Sequence, residues 1–443
     1  MQSVLDSYEL GPNDLIVLDT GSHAAGAVIT AADQGATYVG TLAGSSITGI
    51  RLDDSDGNLF DSLRFAGAGI GLHVMAGSAD NVVRRGTFAG VEVGVQIDSP
   101  LPNLVEHNRF LPQIPDDDVA SEIGVSLASG ATATVRDNNI AGRVTGIYSD
   151  SRVALVYGNA IHGNAVGMSS RSGILGPDNP PPVGGTGGLA MNDLYDNGIG
   201  ILVPPDASGV WVRFNHVYNN RDAGIEQWGD TSVIVANDVH HNPIGIRGVQ
   251  RIGPDQWGSD LHNLVHHNGV GILAEAGTEV RYNRVFENVS GVQVEDDTFV
   301  HHNLIYRNTG HGILVEAARQ VRLINNTIYA PQGDGVHLTD FADDVTIRNN
   351  ILYAESGYAL YVAADSQFGY TSDYNNLYAT GGGRVAFQGK DFADVYDWQV
   401  EAESDLHSLG RTVLAPGETR PRDARRRCWS SRDAGDSRRR PSR

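Results

Sequence analysis

Short segments of alternating apolar and polar residues run through most of the chain. Many begin with glycine, as in residues 200–203 (GILV), 271–274 (GILA), 291–294 (GVQV) and 312–315 (GILV). A period of two places the apolar side chains on one face of an extended strand. The pattern therefore predicts many short β-strands, each with one buried face.

Asparagine recurs at a fixed place between these strands, mostly at intervals of 20 to 26 residues. The predicted ladder consists of Asn108, Asn139, Asn159, Asn192, Asn215, Asn237, Asn263, Asn283, Asn303, Asn326 and Asn350. A second asparagine often follows five residues later, at Asn164, Asn197, Asn220, Asn242, Asn268, Asn288 and Asn308. Because asparagine tolerates left-handed turns and its amide can bond to another amide, we expect turns stabilised by stacked asparagines.

Strands this short, with no helix between them, can pair in parallel only if the chain winds as a coil. We predict an all-β fold, a single-stranded right-handed parallel β-helix of about fourteen coils with a short N-terminal cap helix. The predicted boundaries are a cap and first strand at 1–22, the β-helix at 23–380, a C-terminal cap at 381–410 and a disordered Arg-rich tail at 411–443.

Charge and composition limit the class of partner. Residues 1–410 contain 21 Arg and Lys against 49 Asp and Glu, a net charge of −28. A surface this acidic repels nucleic acid, so we expect no such partner. Cys428 is the only cysteine, which excludes a disulfide framework. No apolar run reaches transmembrane length, and we expect a secreted or cell-surface protein although the chain opens without a signal-peptide pattern.

The repeat unit resembles those of the pectin-lyase-like parallel β-helix superfamily. The resemblance rests on units such as residues 283–292 (NRVFENVSGV) and 303–308 (NLIYRN), and it covers residues 15–380. The superfamily includes polysaccharide lyases, hydrolases, uronate epimerases and non-catalytic surface modules, so the resemblance implies a fold more strongly than a chemistry. It implies an acidic or neutral polysaccharide as the partner.

Signatures of the catalytic members are missing. The chain has no Arg-x-Lys substrate clamp, and Lys390 is its only lysine. We therefore predict an extracellular polysaccharide-binding module. The alternative is a polysaccharide lyase or uronate C5-epimerase that acts by proton abstraction, with His or Arg as the base and Tyr as the acid.

One candidate sugar site lies at the outward positions of the glycine-led strands. Glu226 and Arg247 are predicted neighbours on adjacent coils, about 5 Å apart. Trp228 ends one of these strands, and Trp257 lies in one of two insertions, at 171–188 and 250–260, which we expect to project from one edge of the coil. An acid, a guanidinium and two indoles can hold a sugar. Glu226 and Arg247 are also candidate catalytic residues, and the same column supplies two further candidate substrate contacts, Tyr148 and His337.

A second candidate surface is a row of rings three residues after each ladder asparagine. It contains Tyr218, His240 and His266. Such a row serves either as a sugar-stacking platform or as a ladder that stabilises the coil by like-on-like contact. Paired histidines in this row could bind a transition metal or act as a base, which makes His240 and His266 catalytic candidates.

Acidic residues recur just after the glycine-led strands. Stacked carboxylates repel one another unless solvent or a cation separates them. We therefore consider calcium, with Asp230, Glu275, Glu295 and Glu316 as its ligands.

Overall fold

The corners of the coil are built from one repeated local conformation. The residue before a ladder asparagine adopts the left-handed region, as at Tyr282 and His302, whose φ angles are 53° and 56°. The asparagine that follows turns its amide into the coil, where Asn283 and Asn303 are both buried. This conformation is costly for a residue with a side chain, so the hydrogen bonds of the buried amide must offset the strain.

A computed structural model describes residues 1–19, 21–23, 26–41, 45–67, 69–111, 122–176, 191–255 and 261–410. Its coil has three sides. The first side, here the glycine sheet, contains sixteen parallel strands and one short antiparallel strand. These are Ala27–Thr30, Ile50–Asp53, Ile70–Val74, Val93–Ile97, Ile123–Leu127, Thr145–Ser149, Val166–Ser170, Ile199–Val203, Ala223–Gln227, Ile244–Gly248, Val270–Ala274, Ser290–Val294, His311–Glu316, Asp334–Thr339, Tyr358–Val362, Arg384–Gln388 and the antiparallel Asp391–Phe392.

The second side, here the ring sheet, has sixteen strands. They are Ser22–His23, Ser46–Ile47, Arg64–Ala66, Thr87–Ala89, Arg109–Phe110, Asn139–Ala141, Ala160–His162, Asn192–Tyr195, Asn215–Tyr218, Asp238–His240, Leu264–His266, Arg284–Phe286, Leu304–Tyr306, Thr327–Ala330, Ile351–Ala354 and Asn376–Ala379. All pairings within it are parallel, so the chain advances by one strand for every turn.

The third side is divided into two sheets. The seven-stranded sheet contains Leu15–Leu18, Thr37–Gly40, Leu59–Asp61, Val82–Arg84, Asn103–Glu106, Ala133–Arg136 and Leu155–Tyr157. The nine-stranded sheet contains Ile174–Leu175, Trp211–Arg213, Val233–Val235, Arg251–Ile252, Glu279–Arg281, Phe299–His301, Arg322–Ile324, Val345–Arg348 and Tyr370–Asp373. The molecule is thus an all-β parallel coil of about fifteen turns, which confirms the predicted fold class.

The predicted winding is confirmed by direct contact between residues one period apart. The Asn237 amide donates to the Asn263 side-chain oxygen at 3.2 Å, and the Asn237 backbone N–H donates to the same oxygen at 3.0 Å. One ladder position was wrong by a single residue. The buried member is Asn138, whereas Asn139 opens a strand and is exposed, because the left-handed turn falls at Asp137.

Short helices lie near the two ends of the coil. Gln2–Leu5 precedes the first strand, in agreement with the predicted short N-terminal cap helix. Val395–Glu401 packs against the last coils, where Trp398 is completely buried and donates to the Asp405 carboxylate at 3.0 Å. A single 3₁₀ turn, Ala364–Ser366, lies between them. The predicted disordered tail at 411–443 lies outside the described residues.

Candidate functional site

Adjacent strands of the glycine sheet bring together the residues predicted as a sugar site. Glu226 and Arg247 are direct partners in the register of the two strands. The Arg247 guanidinium carbon lies 4.7 Å from the centre of the Trp228 ring, and the Trp228 indole N–H donates to Glu226 at 3.4 Å. The Arg247 Nε donates to Glu275 at 2.5 Å. We call Glu226, Trp228, Arg247 and Glu275 the indole patch.

The indole patch carries more negative than positive charge. Glu295, on the next coil, has its pKa raised by burial and by a hydrogen bond with Glu275. Arg247 is the single guanidinium among these residues and is already paired with Glu275. A second anion therefore gains little from Arg247.

The four proposed calcium ligands do not converge. Asp230 accepts from the Gln250 side chain at 2.9 Å, and Glu275 is paired with Arg247. Glu316 is exposed at the end of its strand. Among the described residues these acids form no group of three whose oxygens could reach one ion. The calcium prediction has no geometric support among the described residues, because Asp230 and Glu275 bond to side chains of adjacent coils and Glu316 is exposed.

The chain enters the two insertions from a different side of the coil than the one that carries the indole patch. Their central parts, 177–190 and 256–260 with Trp257, lie outside the described residues. The strands before them, Ile174–Leu175 and Arg251–Ile252, belong to the nine-stranded sheet and lie three strands apart. Both insertions therefore leave at the corner between that sheet and the ring sheet, not directly after the glycine-led strands as expected.

The ring row is a stack rather than a platform. Outward side chains on successive ring-sheet strands lie nearly parallel, and their ring centroids are 4.8 to 5.3 Å apart. They are His162, Tyr195, Tyr218, His240, His266, Phe286 and Tyr306. Each ring face is covered by the next ring, so the edges are left for solvent. This geometry favours the stabilising ladder over sugar stacking, including at Tyr218.

Three imidazoles and a carboxylate form a continuous chain beside this stack. Asp193 Oδ1 lies 2.8 Å from His216 Nδ1, and His216 Nε2 lies 2.7 Å from His240 Nε2. His240 Nδ1 is in turn 2.7 Å from His241 Nδ1. Three protons satisfy these three contacts with every imidazole neutral, and one further proton can reside on any ring. We call these four residues the imidazole chain.

The environments of this cluster push its pKa values in opposite directions. The hydrogen bond to Asp193 raises the pKa of His216. Burial, together with the surrounding imidazoles, lowers the pKa of His240 to about 4. Burial alone would raise the pKa of Asp238, but its bond to His266 at 3.0 Å outweighs burial and lowers it. The pKa values of two imidazoles in contact, His216 and His240, are therefore shifted in opposite directions.

His216, Asp193 and Asp238 were not identified from the sequence. Each directly follows a ladder asparagine, so they form one outward column on three consecutive coils. The sequence signal that could have revealed them is the order acid, histidine, acid at this position in three successive repeats.

Two other predicted contacts are far from the indole patch. Tyr148 lies three strands before Glu226, where Arg171 approaches its ring at 6.0 Å and burial raises its pKa. His337 lies four strands beyond Arg247, beside Asp334 at 2.6 Å. At about 4.8 Å per strand they cannot contact one sugar unit together with the indole patch.

No helix in the described part of the chain has the length and apolar character needed to cross a bilayer. A search of curated proteins gave no match. Among solved structures, the periplasmic alginate epimerase AlgG is 14% identical, with 84% of this chain and 75% of that chain covered and a TM-score of 0.31. The alginate lyase AlyF-OU02 is 11% identical, with 93% of each chain covered and a TM-score of 0.35. The Dettilon tailspike protein is 11% identical, with 68% and 60% covered and a TM-score of 0.37.

Two family models match different parts of the sequence. The model described as "Periplasmic copper-binding protein (NosD)" matches residues 6–176. The model described as "Right handed beta helix region" matches residues 183–352 and 295–381. Both matches agree with the coil observed over the same residues. The matches and the observed coil together identify the fold as a right-handed parallel β-helix.

Proposed function

We propose that the chain is an extracytoplasmic polysaccharide-binding β-helix and that the indole patch is its sugar site. The observation that carries this proposal is the contact of a half-buried indole with a guanidinium and a carboxylate on adjacent coils of one sheet. An indole gives an apolar surface for a sugar ring, while charged groups make strong hydrogen bonds to hydroxyls. In this proposal Glu226 and Arg247 bind sugar rather than catalyse. The periplasmic description of the NosD family supports the location.

The charge of the patch favours a neutral polysaccharide. Arg247 has Glu226, Glu275 and Glu295 around it, and the whole of residues 1–410 carries −28. A polyanion would meet repulsion from the patch and from the body of the protein. Hydroxyl groups, in contrast, can donate to the carboxylates and accept from the guanidinium.

The test is retention in affinity gels that contain a neutral glucan, xylan or mannan, compared with alginate and pectate. We expect Trp228→Ala to weaken retention by at least about tenfold, or 1.4 kcal/mol. Trp211→Ala is the matched control, because Trp211 is an exposed indole on the nine-stranded sheet of the neighbouring coil. Undiminished retention of Trp228→Ala would remove the proposed site. Retention by alginate alone would overturn the preference for neutral sugars.

The alternative function, a lyase or epimerase for acidic polysaccharide, is favoured by the imidazole chain. Neighbouring groups with separated pKa values are typical of acid–base sites. In this mechanism His240 Nδ1, released from its contact with His241, takes the proton from the carbon beside the uronate carboxylate, while the His240 Nε2–H stays bonded to a neutral His216. In the lyase case the Tyr218 hydroxyl protonates the departing glycosidic oxygen as the carbon–carbon double bond forms. Burial and the charge of Asp193 raise the pKa of Tyr218, which keeps that proton in place.

This alternative is tested by ultraviolet absorbance of unsaturated uronates after incubation with alginate or pectate, and by NMR for epimerised units. Activity that is lost in His240→Phe and kept in Tyr329→Phe would establish it, because phenylalanine preserves the ring stack at either position. Absence of both products with every acidic polymer leaves binding as the function.

A further inference from the structure

A compact group of two imidazoles and one carboxylate lies on the glycine sheet, beyond the indole patch. His311 is on one strand, and Asp334 and His337 are on the next. One ligand atom from each residue can be chosen so that all three lie within 4.8 Å of one another. Asp334 Oδ2 is 2.6 Å from His337 Nδ1 and 3.6 Å from His311 Nδ1.

A break in strand alternation creates this group. In a regular strand, residues three apart point to opposite faces. Here Gly335 and Val336 are both buried, and the register pairs His311 with Asp334 and Ile313 with Val336 while it omits the glycine. This interruption of the alternation, which neighbouring glycine-led strands share, places Asp334 and His337 on the same outward face.

The carboxylate of Asp334 is buried and held in one orientation. The residue is 8% exposed, and its Oδ1 accepts from the Tyr358 backbone N–H at 2.9 Å. A Cβ at Gly357 would lie 2.7 Å from that oxygen, so glycine permits the close approach. With Oδ1 engaged by the backbone, Oδ2 is directed toward the two imidazoles.

The two imidazoles are also held in place, yet one nitrogen makes no hydrogen bond. The His337 ring stacks on Tyr361 at 4.2 Å, and the His311 ring centroid is 4.4 Å from that of His337. His311 Nδ1 is shielded from solvent, and Asp334 Oδ2, which faces it at 3.6 Å, lies beyond hydrogen-bond distance. A buried polar atom without a hydrogen bond is costly, which indicates that a ligand completes the group.

We propose that His311, Asp334 and His337 form a binding site for a first-row transition metal, with Zn²⁺ as the preferred ion. Two imidazole nitrogens and a carboxylate oxygen are a common zinc ligand set, and three protein ligands leave a fourth position open to water or a sugar hydroxyl. Zinc bonds of about 2.0–2.1 Å in tetrahedral geometry separate ligand atoms by about 3.3 Å. The observed separations of 2.6 and 3.6 Å lie on either side of that value, so small side-chain movements suffice.

The other explanation of the group is a hydrogen-bonded pair without metal. The chain contains such a pair at His73 and Asp98, whose atoms lie 2.6 Å apart on the same sheet. That pair belongs to no group of three potential ligands among the described residues, and it is therefore the matched control.

The experiment is calorimetric titration of chelator-treated full-length protein with ZnCl₂, because other histidines also take up zinc and the number of bound equivalents must be compared. We expect Asp334→Asn and His311→Ala each to bind one equivalent fewer than the wild type, and His73→Ala to bind the same number. Circular dichroism without metal verifies that each variant folds. An unchanged number of equivalents in folded Asp334→Asn and His311→Ala would overturn the proposal.

A zinc-soaked crystal gives a second, independent result. Anomalous scattering should place an ion between His311 and His337 in the wild type. An intact contact between His337 and Asp334 with no anomalous peak would leave only the hydrogen-bonded pair. Because the site lies three coils from Arg247, neither result depends on the sugar-binding proposal.

Discussion

Asn138 and Asn139 are adjacent asparagines with opposite roles, and replacing each by alanine tests the ladder directly. The Asn138 side-chain oxygen accepts from both the backbone and the side chain of Asn108 at 3.0 Å. Its amide donates to the Val105 carbonyl at 3.0 Å and to Asn159 at 2.9 Å. Asn138 is 1% exposed, whereas Asn139 is exposed to solvent.

Alanine at 138 removes all of these bonds and leaves buried groups on two neighbouring coils without partners. Each lost hydrogen bond contributes about 1 kcal/mol, and each buried unsatisfied group costs about 1–3 kcal/mol. With partial relaxation we expect Asn138→Ala to lower the free energy of unfolding by about 3–4 kcal/mol. Asn139 has a single side-chain contact, to His162 at 3.2 Å. Asn139→Ala should therefore cost no more than about 0.5 kcal/mol.

Urea denaturation followed by far-ultraviolet circular dichroism measures both losses. Solenoids often unfold in parts, so amide hydrogen exchange should accompany it and locate the loss on the coils around residue 138. If the two variants lost equal stability, or if Asn138→Ala lost less than about 1 kcal/mol, the ladder would not be what holds these corners.

Two further predictions concern the ring stack and the glycines. The pKa of His240 is lowered from 6.5 to about 4, so between these values the unfolded chain binds a proton that the folded chain does not. The free energy of unfolding should fall by about 1–2 kcal/mol as pH falls through this window, after allowance for solvent screening. His240→Phe should flatten the plot of urea midpoint against pH, and an equally steep plot would contradict the assignment of this loss to His240. A Cβ at Gly271 would lie 2.6 Å from the Gly291 carbonyl oxygen, whereas one at Gly277 meets nothing within 4 Å. Gly271→Ala should cost about 3 kcal/mol and Gly277→Ala only about 1 kcal/mol for its positive φ; similar thermal shifts for the two would show that the glycine sheet can relax.

The winding could be predicted because it follows from chemistry repeated at every coil. A strand of three to five residues has one apolar face and two unpaired backbone edges. Without helices, winding the chain buries the apolar face inside the coil and pairs each edge with a strand of the next turn. The contact between Asn237 and Asn263 is a consequence of that period alone. Asn139 was predicted in the ladder in place of Asn138 because the two asparagines are adjacent in the sequence. Only the left-handed backbone at Asp137 decides which of them is buried.

The site residues were harder to predict, because their positions depend on where each coil is interrupted. The insertions were expected near Trp228, but they leave the coil after strands of the nine-stranded sheet instead. Asp334 and His337 are three residues apart, so strict alternation would place them on opposite faces, but Gly335 and Val336 are buried in succession. Strict alternation does not allow for two successive buried residues, so this group was not predicted from the sequence.

Chemical change along a column distinguishes candidate sites from structural rows in this coil. Where one residue type repeats, as in the asparagine ladder, each amide bonds to the amide of the next coil and little hydrogen-bonding capacity remains for a ligand. Where the type changes between adjacent coils, each contact belongs to that pair alone. Glu226 opposite Arg247 and His311 opposite Asp334 are such changes. Such changes of residue type give the coil no repeated stacking energy, so ligand binding explains them better than stability does. Ligands should therefore be sought first at these columns.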